Sequence, residues 1–529
     1  MTDNSTIKGP PALLFLTGTM HSGLCSIPII QSGQRHDLKQ IPYKNRYIDL
    51  GNTFYTRTRP SPVSDPALIV YNHALSDALG LSDTCLGSAE GTAIFAGNRV
   101  PEGAEPLAMA YAGHQFGHFV PQLGDGRALL LGQVATADGV HHDIHLKGSG
   151  RTVYSRGGDG RAALGPVLRE YLVSEAMAQL GVPTTRALAA VTTGEQVARE
   201  ELLPGGIITR TARSFVRVGT FEFLASRNDQ AAVTRLADYV IEQHYPGCRD
   251  ASNPYLALFE AIIHRQATLI AQWMQVGFIH GVMNTDNMSI AGETIDYGPC
   301  AFMDHYAHDQ VYSSIDRHGR YAYNNQPSIG LWNLTRLAET LLPLLADSPE
   351  AAVEAAQGAL QAYAGHYERD WLDGMRAKTG LQSRDDDDKA LIDDLFEIMA
   401  ENRSDFTLTF YYLSSLAVDS PAQDGNVRTL FSDPQAFDHW AGQWRARLRR
   451  EGSTDATRQA QMLAVNPVYI PRNHRIEAAI RAAEDQGDFS VFHELHAVLQ
   501  EPWQRQPGKD AYMLPPEPDE VVQQTFCGT

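Results

Sequence analysis

The apolar positions of this chain change period partway along it. Between residues 105 and 195 they fall in short strand-like runs, Ala128 to Val134 and then Asp143 to Leu146, separated by glycine-rich turns. One helical stretch follows. Leu164, Val167, Leu168, Tyr171, Leu172 and Met177 recur at three-to-four spacing as far as Leu180, and Gly181 and Pro183 stop the pattern. That order predicts a small sheet with one packed helix. From about residue 230 the helical period takes over. Asn253-Pro254 opens a helix that runs to Met274, with Gly277 as its stop. Further helices are expected at Leu331–Leu345, 350–378 and 389–402, from Arg475, and after Gly487-Asp488-Phe489. The acidic run Asp385 to Asp388 sits where one of them begins, and acids there are favoured by the helix dipole. Residues 41–100 mix short apolar runs with turns such as Arg59-Pro60-Ser61-Pro62. No unit of about 20–50 residues repeats, which argues against a solenoid.

Composition narrows the class. At 529 residues the chain is long for one domain, and 43% hydrophobic with 20% charged residues describes a globular protein with a sizeable core. Lys plus Arg total 43 against 62 Asp plus Glu, a net charge of −19. Phosphate contacts need a basic surface, so a general nucleic-acid binder is excluded as an expectation, whereas a local basic pocket is not. Cys25, Cys85, Cys248, Cys300 and Cys527 are scattered with no CxxC pair, which excludes a disulfide scaffold and suits a reducing compartment. No run of about 18 apolar residues is present, so no membrane helix is expected. The apolar run Pro11 to Leu16 is shorter than a signal-peptide core. The expectation is a cytoplasmic monomer with residues 1–40 as a weakly ordered extension.

Five segments carry candidate chemistry. Leu123-Gly124-Asp125-Gly126-Arg127 is a glycine-rich turn of the kind that brings backbone N–H groups close to phosphates, or simply a hairpin turn. Lys147 ends a strand in Asp143-Ile144-His145-Leu146-Lys147-Gly148, where it could reach a phosphate, and Glu170 on the following helix could fix it in place. Gly157-Gly158-Asp159-Gly160-Arg161 could fold over a nucleotide or be an ordinary turn. Thr209 to Arg217 holds three arginines, whose forks match phosphate oxygens; Arg210 and Arg217 would share a helix face or lie on opposite faces of a strand. The most specific segment is Phe278-Ile279-His280-Gly281-Val282-Met283-Asn284-Thr285-Asp286-Asn287, followed by Ile295-Asp296-Tyr297-Gly298. Protein kinases place HRDxxxxN and DFG this way, with the Asn and the second Asp on metal. His280 and Asn287 keep that spacing, but Val282 stands where the kinase base would be and cannot accept a proton. Either the chain is a dead kinase or Asp286 has taken over.

Taken together, in order, these segments resemble the selenoprotein O family, the YdiU-like protein adenylyltransferases. Tyr111-Ala112-Gly113-His114-Gln115-Phe116-Gly117 and Arg217-Val218-Gly219-Thr220-Phe221-Glu222 belong to the same run of motifs, and the match covers most of residues 46–505. The resemblance implies an α+β, protein-kinase-like bilobal fold: a small β-rich N-lobe at 41–225, a mainly helical C-lobe at 226–346, a helical C-terminal extension at 347–510 and a tail at 511–529. It implies transfer of AMP from ATP to Ser, Thr or Tyr hydroxyls of protein substrates, with ATP bound in a flipped orientation. Gly124, Gly126, Arg127, Lys147, Asp159, Gly160, Arg210, Arg217 and Asp296 would bind nucleotide, with Glu170 paired to Lys147. Asn287 and Asp296 would hold Mg²⁺, with Mn²⁺ as the alternative ion. Asp286 would accept the proton, which accounts for Val282. Family members often carry a cysteine near the C-terminus, as Cys527 is here, but Cys300 is the sole cysteine between Asp296 and Pro327, and a regulatory disulfide is not expected. The rival readings are an ATP-dependent kinase, a UMP transferase using UTP, and a nucleotide-binding pseudokinase scaffold.

Overall fold

The structure is a computed structural model that describes residues 41–526 apart from Asp83; the expectations for residues 1–40 and Cys527 lie outside the described residues. The architecture is mixed α and β. Strands dominate up to residue 212 and helices dominate afterwards. The main sheet contains β1 (Tyr55–Arg57), β2 (Ala67–Tyr71), β3 (Leu107–Met109), β6 (Ala128–Ala135), β7 (His141–Lys147), β8 (Ala162–Ala163), β9 (Arg186–Ala198) and β10 (Leu202–Ala212). The numbers skip a small hairpin, β4 (Gly113–Gln115) with β5 (His118–Val120), that lies off the sheet. Strand order is β1-β3-β6-β7-β10-β9-β2, with β8 added beside β10, and all the pairings are antiparallel.

The sheet is larger than the small one its short apolar runs suggest. Its longest component is the β9–β10 hairpin. β9 reads Arg-Ala-Leu-Ala-Ala-Val-Thr-Thr-Gly-Glu-Gln-Val-Ala, and alanine is a weak strand signal. Its neighbours decide the matter, because β9 is paired on both sides, by β10 and β2.

Alternation along β7 gives the sheet two different faces. Ile144 and Leu146 join Leu131, Val134, Leu188 and Ile207 in an apolar layer covered by α1 (His73–Ala78) and α2 (Ala89–Phe95). Asp143, His145 and Lys147 take the other face, where α3 (Leu164–Gln179) lies. Leu180 caps α3, and nearly every residue of the helix is buried. A helix apolar on most sides needs cover on most sides. The sheet supplies one side, and α14 (Asn473–Gln486) and α15 (Ser490–Leu499) supply another through Ile476, Ile480, Phe492 and Leu495. At its far end Glu175, fully buried, takes Arg186 in a two-bonded pair at 2.9 and 2.7 Å and accepts from Asn72 at 2.7 Å.

The helical half begins with α4 (Val218–Ala225) and α5 (Gln230–His244). α6 (Pro254–Val276) is capped by the Asn253 side chain, which accepts from Tyr255 and Leu256, and ends on Gly277 in the left-handed conformation. β11 (Phe278–Ile279) and β12 (Ala301–Phe302) then pair antiparallel, which closes residues 280–300 into one loop. α7 starts earlier than its periodicity indicates, at Gln326, and runs to Leu345; α8 (Pro349–Thr379) packs beside α6 and α7. α9 (Asp388–Asn402), α10 (Phe406–Leu413), α11 (Gly425–Arg428), α12 (Pro434–Leu448) and α13 (Asp455–Leu463) complete the chain order before α14. α9, α10 and α12 share an apolar cluster that includes Trp440 and Trp444. The acidic run before α9 does more than favour a dipole. Asp388 is fully buried and takes Arg376 and Arg447, each at 2.7 Å. Among the described residues, no helix is long and apolar enough to cross a membrane.

One buried ionic triad joins distant segments. Arg472, fully buried, donates to Asp304 at 2.6 Å, to Asp405 at 2.8 Å and to the Met513 carbonyl at 2.8 Å. Removing the guanidinium strands two carboxylates away from water. Arg472→Met is expected to lower the unfolding free energy by about 3–5 kcal/mol, read from urea denaturation. Adding Asp304→Asn and Asp405→Asn should recover part of that loss.

Candidate active site

Strand register assembles the first half of the site. Arg210 on β10 lies opposite His145 on β7, and Ile208 lies opposite Lys147. Glu170 projects from α3 onto the same face. Lys147 Nζ donates to Glu170 Oε2 at 2.6 Å and to Asp296 Oδ1 at 2.5 Å. Arg210 Nη1 donates to the other Glu170 oxygen at 2.8 Å and lies 4.0 Å from Asp296 Oδ1. Burial alone would raise both carboxyls, but the Lys147 ammonium and the Arg210 guanidinium outweigh it. Glu170 is held below its ordinary range, and Asp296 well below.

The polar chain continues inward. Arg210 Nη2 donates to His145 Nδ1 at 3.2 Å, so the ring proton sits on Nε2, which donates to Asp125 Oδ2 at 3.2 Å. Burial pushes the His145 pKa down to about 4, so the imidazole is neutral. Phe215 stacks on its ring at 4.3 Å. Asp125 belongs to the glycine-rich turn, which is packed and not open. Gly124 has φ +72°, and a Cβ there would lie 2.3 Å from the Tyr154 ring. Thr152 donates to the Asp125 carbonyl at 2.6 Å, and the Ser155 hydroxyl donates to the Gly126 carbonyl. The Arg127 carbonyl accepts from Gly148 N at 2.7 Å, which ties this turn to the end of β7 beside Lys147.

The second half is the loop between β11 and β12. His280 donates through Nε2 to the Ile295 carbonyl at 2.9 Å, so it fastens the start of the loop to the residue before Asp296. Val282 is buried, and its carbonyl accepts from Asn287 Nδ2 at 3.0 Å. Asp296 has φ +67°, a left-handed conformation that Asp tolerates better than most residues. Arg217 lies on neither a helix face nor a strand face shared with Arg210. The strand stops at Ala212, and Arg217 is the residue that caps α4. Its guanidinium stacks on Tyr111 at 4.3 Å and donates to the Asp286 carbonyl at 2.9 Å.

Asp286 is therefore held by its backbone. Its carboxyl accepts from Gln115 at 3.3 Å through Oδ2, while Oδ1 is buried with no hydrogen-bond partner. Burial, only partly offset by Arg217, raises its pKa to about 7. Gly113 leaves room for this side chain, since a Cβ there would lie 2.6 Å from Asp286 Oδ1. The neighbouring Thr285 donates to Glu222 Oε2 at 2.5 Å and accepts from His114 N at 2.6 Å.

Not every expected residue converges. Asp159 is half-exposed and paired with Arg199 at 2.9 Å, at the turn end of the β9–β10 hairpin. The Gly160 carbonyl accepts from Gly150 N at 3.0 Å, so this loop backs onto the turn that follows Lys147. Asp125, His145, Gln115, Glu222 and Thr285 all enter the site although none was singled out by role. All five lie inside the motif segments; the signal at His145 was a polar residue on a strand whose alternate positions are apolar, and at Asp125 an acid between the two glycines of the turn. Cys300 is fully buried, and burial pushes its thiol up to about 12.

Asn287, with its amide nitrogen spent on Val282, and Asp296 offer hard oxygen donors, one residue and one loop away from the orphaned Asp286 Oδ1. Mg²⁺ takes one or two protein oxygens and fills the rest with phosphate and water, and this donor set fits it. Among the described residues, no three His, Cys, Asp or Glu side chains gather as a closed metal site.

A site of this kind, with a lysine and arginines clamped by carboxylates beside a loop of hard oxygen donors, belongs to enzymes that handle phosphates. Comparison with known proteins makes the class specific. The family model described as "Protein adenylyltransferase SelO" matches residues 37–500. A protein of Rhodopseudomonas palustris (strain BisB5) named "Protein nucleotidyltransferase YdiU" is 59% identical over 488 residues, 92% of this chain and 99% of its own length. Its namesake in Rhizobium etli is 57% identical over 487 residues, 92% of this chain and 97% of its own. The class is that of the nucleotidyltransferases. The chain belongs to the SelO family.

Linkage gives the carboxylates a pH signature. A carboxyl whose pKa is depressed on folding stabilises above its unfolded value and loses that contribution as pH falls through the folded value. Glu170→Gln should cost about 3 kcal/mol at pH 7, because Lys147 and Arg210 lose a buried counter-charge. In urea titrations the gap between wild type and variant should narrow steadily below about pH 4, where the carboxyl of the unfolded chain takes up a proton that folded Glu170 still refuses.

Proposed function

We propose that this enzyme transfers AMP from ATP to Ser, Thr or Tyr hydroxyls of proteins, on a kinase-like bilobal frame. The strand-rich region 41–225 would form one lobe, the helical region 226–346 the other, and 347–510 the brace around them. The observation that carries the reading is Asp286. Its backbone is pinned by Arg217, one carboxylate oxygen is buried without a partner, and Val282 occupies the place of a kinase base.

Lys147 and Arg210, together with Arg217, would hold the triphosphate, with the glycine-rich turn of Gly124, Gly126 and Arg127 against it and the Asp159-Gly160 loop closing from the side. Glu170 keeps Lys147 directed. Asn287 and Asp296 would hold Mg²⁺, which would supply neutralising charge to the phosphate oxygens. The acceptor hydroxyl gives its proton to Asp286 Oδ1 as its oxygen bonds to the α-phosphorus. The bond from that phosphorus to the bridging oxygen breaks, and pyrophosphate leaves. General-base assistance of this kind is worth about 10²–10⁴ in rate.

Intact mass after incubation with ATP and Mg²⁺ tests the reading. Wild type should gain one AMP mass or more on itself or on added protein, and release pyrophosphate. Asp286→Ala should bind ATP as wild type does and lose at least about a hundredfold in transfer. A phosphate-sized gain with ADP release would make the protein a kinase, and a gain only with UTP would make it a uridylyl transferase. ATP binding with no transfer to any tested protein would leave a scaffold. Full transfer by Asp286→Ala would remove that residue from the chemistry.

A further inference from the structure

The β4–β5 hairpin touches Asp286 yet does nothing in the reaction as derived. Gln115 reaches the carboxylate, and one residue earlier His114 packs against Phe119 at 5.0 Å and Trp332 at 5.3 Å. The second strand of the hairpin is open: His118 and Phe119 are exposed, and so are Pro121 and Gln122 just beyond it. A large aromatic ring 40% exposed, on the strand paired with the one that carries Gln115 to Asp286, is a poor choice for stability alone.

Three arginines stand around it. Arg320 lies over the Trp332 ring at 4.7 Å and Arg336 over it at 5.1 Å. Arg227 donates to the Pro121 carbonyl at 3.1 Å, at the end of the hairpin. Among the described residues Arg227 and Arg320 have no carboxylate partner, while Arg336 is paired with Glu339 at 2.8 Å. The carboxylates of this corner are committed, Glu222 to His114 and Thr285, Glu339 to Arg336 and Asp316 to the backbone of Arg320 and Tyr321, which leaves Arg227 and Arg320, among the described residues, as free cations in a chain of net charge −19. A patch of that kind steers and orients a partner of opposite charge.

We propose that this corner is the acceptor site, and that it takes an extended protein segment whose hydroxyl residue is flanked by acidic side chains and by an apolar or aromatic one that packs on Phe119. The proposal rests on the adenylyl-transfer reading. Asp286 receives the proton at one edge of the corner, Phe119 fixes the segment along the hairpin, and Arg320 and Arg227 select its charge.

The test is a peptide library with a central Ser, Thr or Tyr and randomised flanks, incubated with ATP and Mg²⁺ and the full-length enzyme, with AMP-bearing peptides sequenced by mass spectrometry. Wild type should enrich Asp and Glu beside the modified residue, together with an apolar position. Arg320→Glu should reverse the charge preference and raise the KM of an acidic peptide about tenfold. Phe119→Ala should erase the apolar preference. Both should leave the KM for ATP and the urea unfolding midpoint unchanged, which separates docking from damage to the fold. Enrichment that is neutral in wild type, or identical in the variants, overturns the proposal. So does self-labelling with no peptide modified. Absence of self-labelling and of peptide labelling together counts against adenylyl transfer itself, and the acceptor site falls with it.

Discussion

The site depends on a cluster of four charges, three of them buried and the fourth, Asp296, at its rim. Lys147, Glu170, Arg210 and Asp296 come from two strands, a helix and a loop, and each would be costly to bury alone. Together they satisfy one another: Glu170 uses both oxygens, one on Lys147 and one on Arg210, and Lys147 bridges to Asp296. Their burial sets conditions on everything around them. β7 and β10 must be in one register, so that His145 and Arg210 face each other across the ladder. α3 must lie flat on that face, which is why almost all of it is buried. A helix so covered needs a second wall, and α14 and α15 provide it. The C-terminal helices are in this sense part of the site, some 300 residues away from Glu170 in sequence.

The helical half was legible where local rules mark a helix, as in α6 to α9, α14 and α15, and not in α4, α5 or α10 to α13. Asn253-Pro254 and Gly277 mark the ends of α6 through backbone conformation and capping that involve near neighbours only. The sheet was legible where strands are apolar throughout, as in β6, and poorly legible in β9, whose alanines take on strand conformation only because β10 and β2 lie on either side. The candidate site follows the same division. Lys147, Glu170, Asp286, Asn287 and Asp296 stand in recognisable motifs. The contacts that join Asp125, His145 and Arg210 were not legible, because motif membership discloses neither which face His145 takes nor what lies opposite it. The cap position of Arg217 was also hidden, since seven residues of separation fit a helix or a strand equally and the chain there is both in turn.

On the adenylyl-transfer reading, the loop between β11 and β12 keeps a kinase-like spacing while its chemistry moves. His280 no longer needs a catalytic neighbour to be useful, since it fastens the loop to Ile295 and thereby sets Asp296. Val282 contributes a carbonyl that orients Asn287, a task for which its side chain is irrelevant. Asp286 is clamped from three directions: its own carbonyl by Arg217, its preceding residue by Glu222 and His114, and one carboxylate oxygen by Gln115. What remains free is Oδ1. A carboxylate in that setting loses little motional entropy on reaction, and burial has already moved its pKa to about 7, near the value at which a base is both ionised and effective. On the adenylyl-transfer reading, the displaced base is thus not a weak substitute for the missing kinase aspartate. Relocating it by four residues puts the carboxylate beside Asn287 and against the β4–β5 hairpin, where a proton acceptor, a metal ligand and an acceptor surface can share one turn of chain.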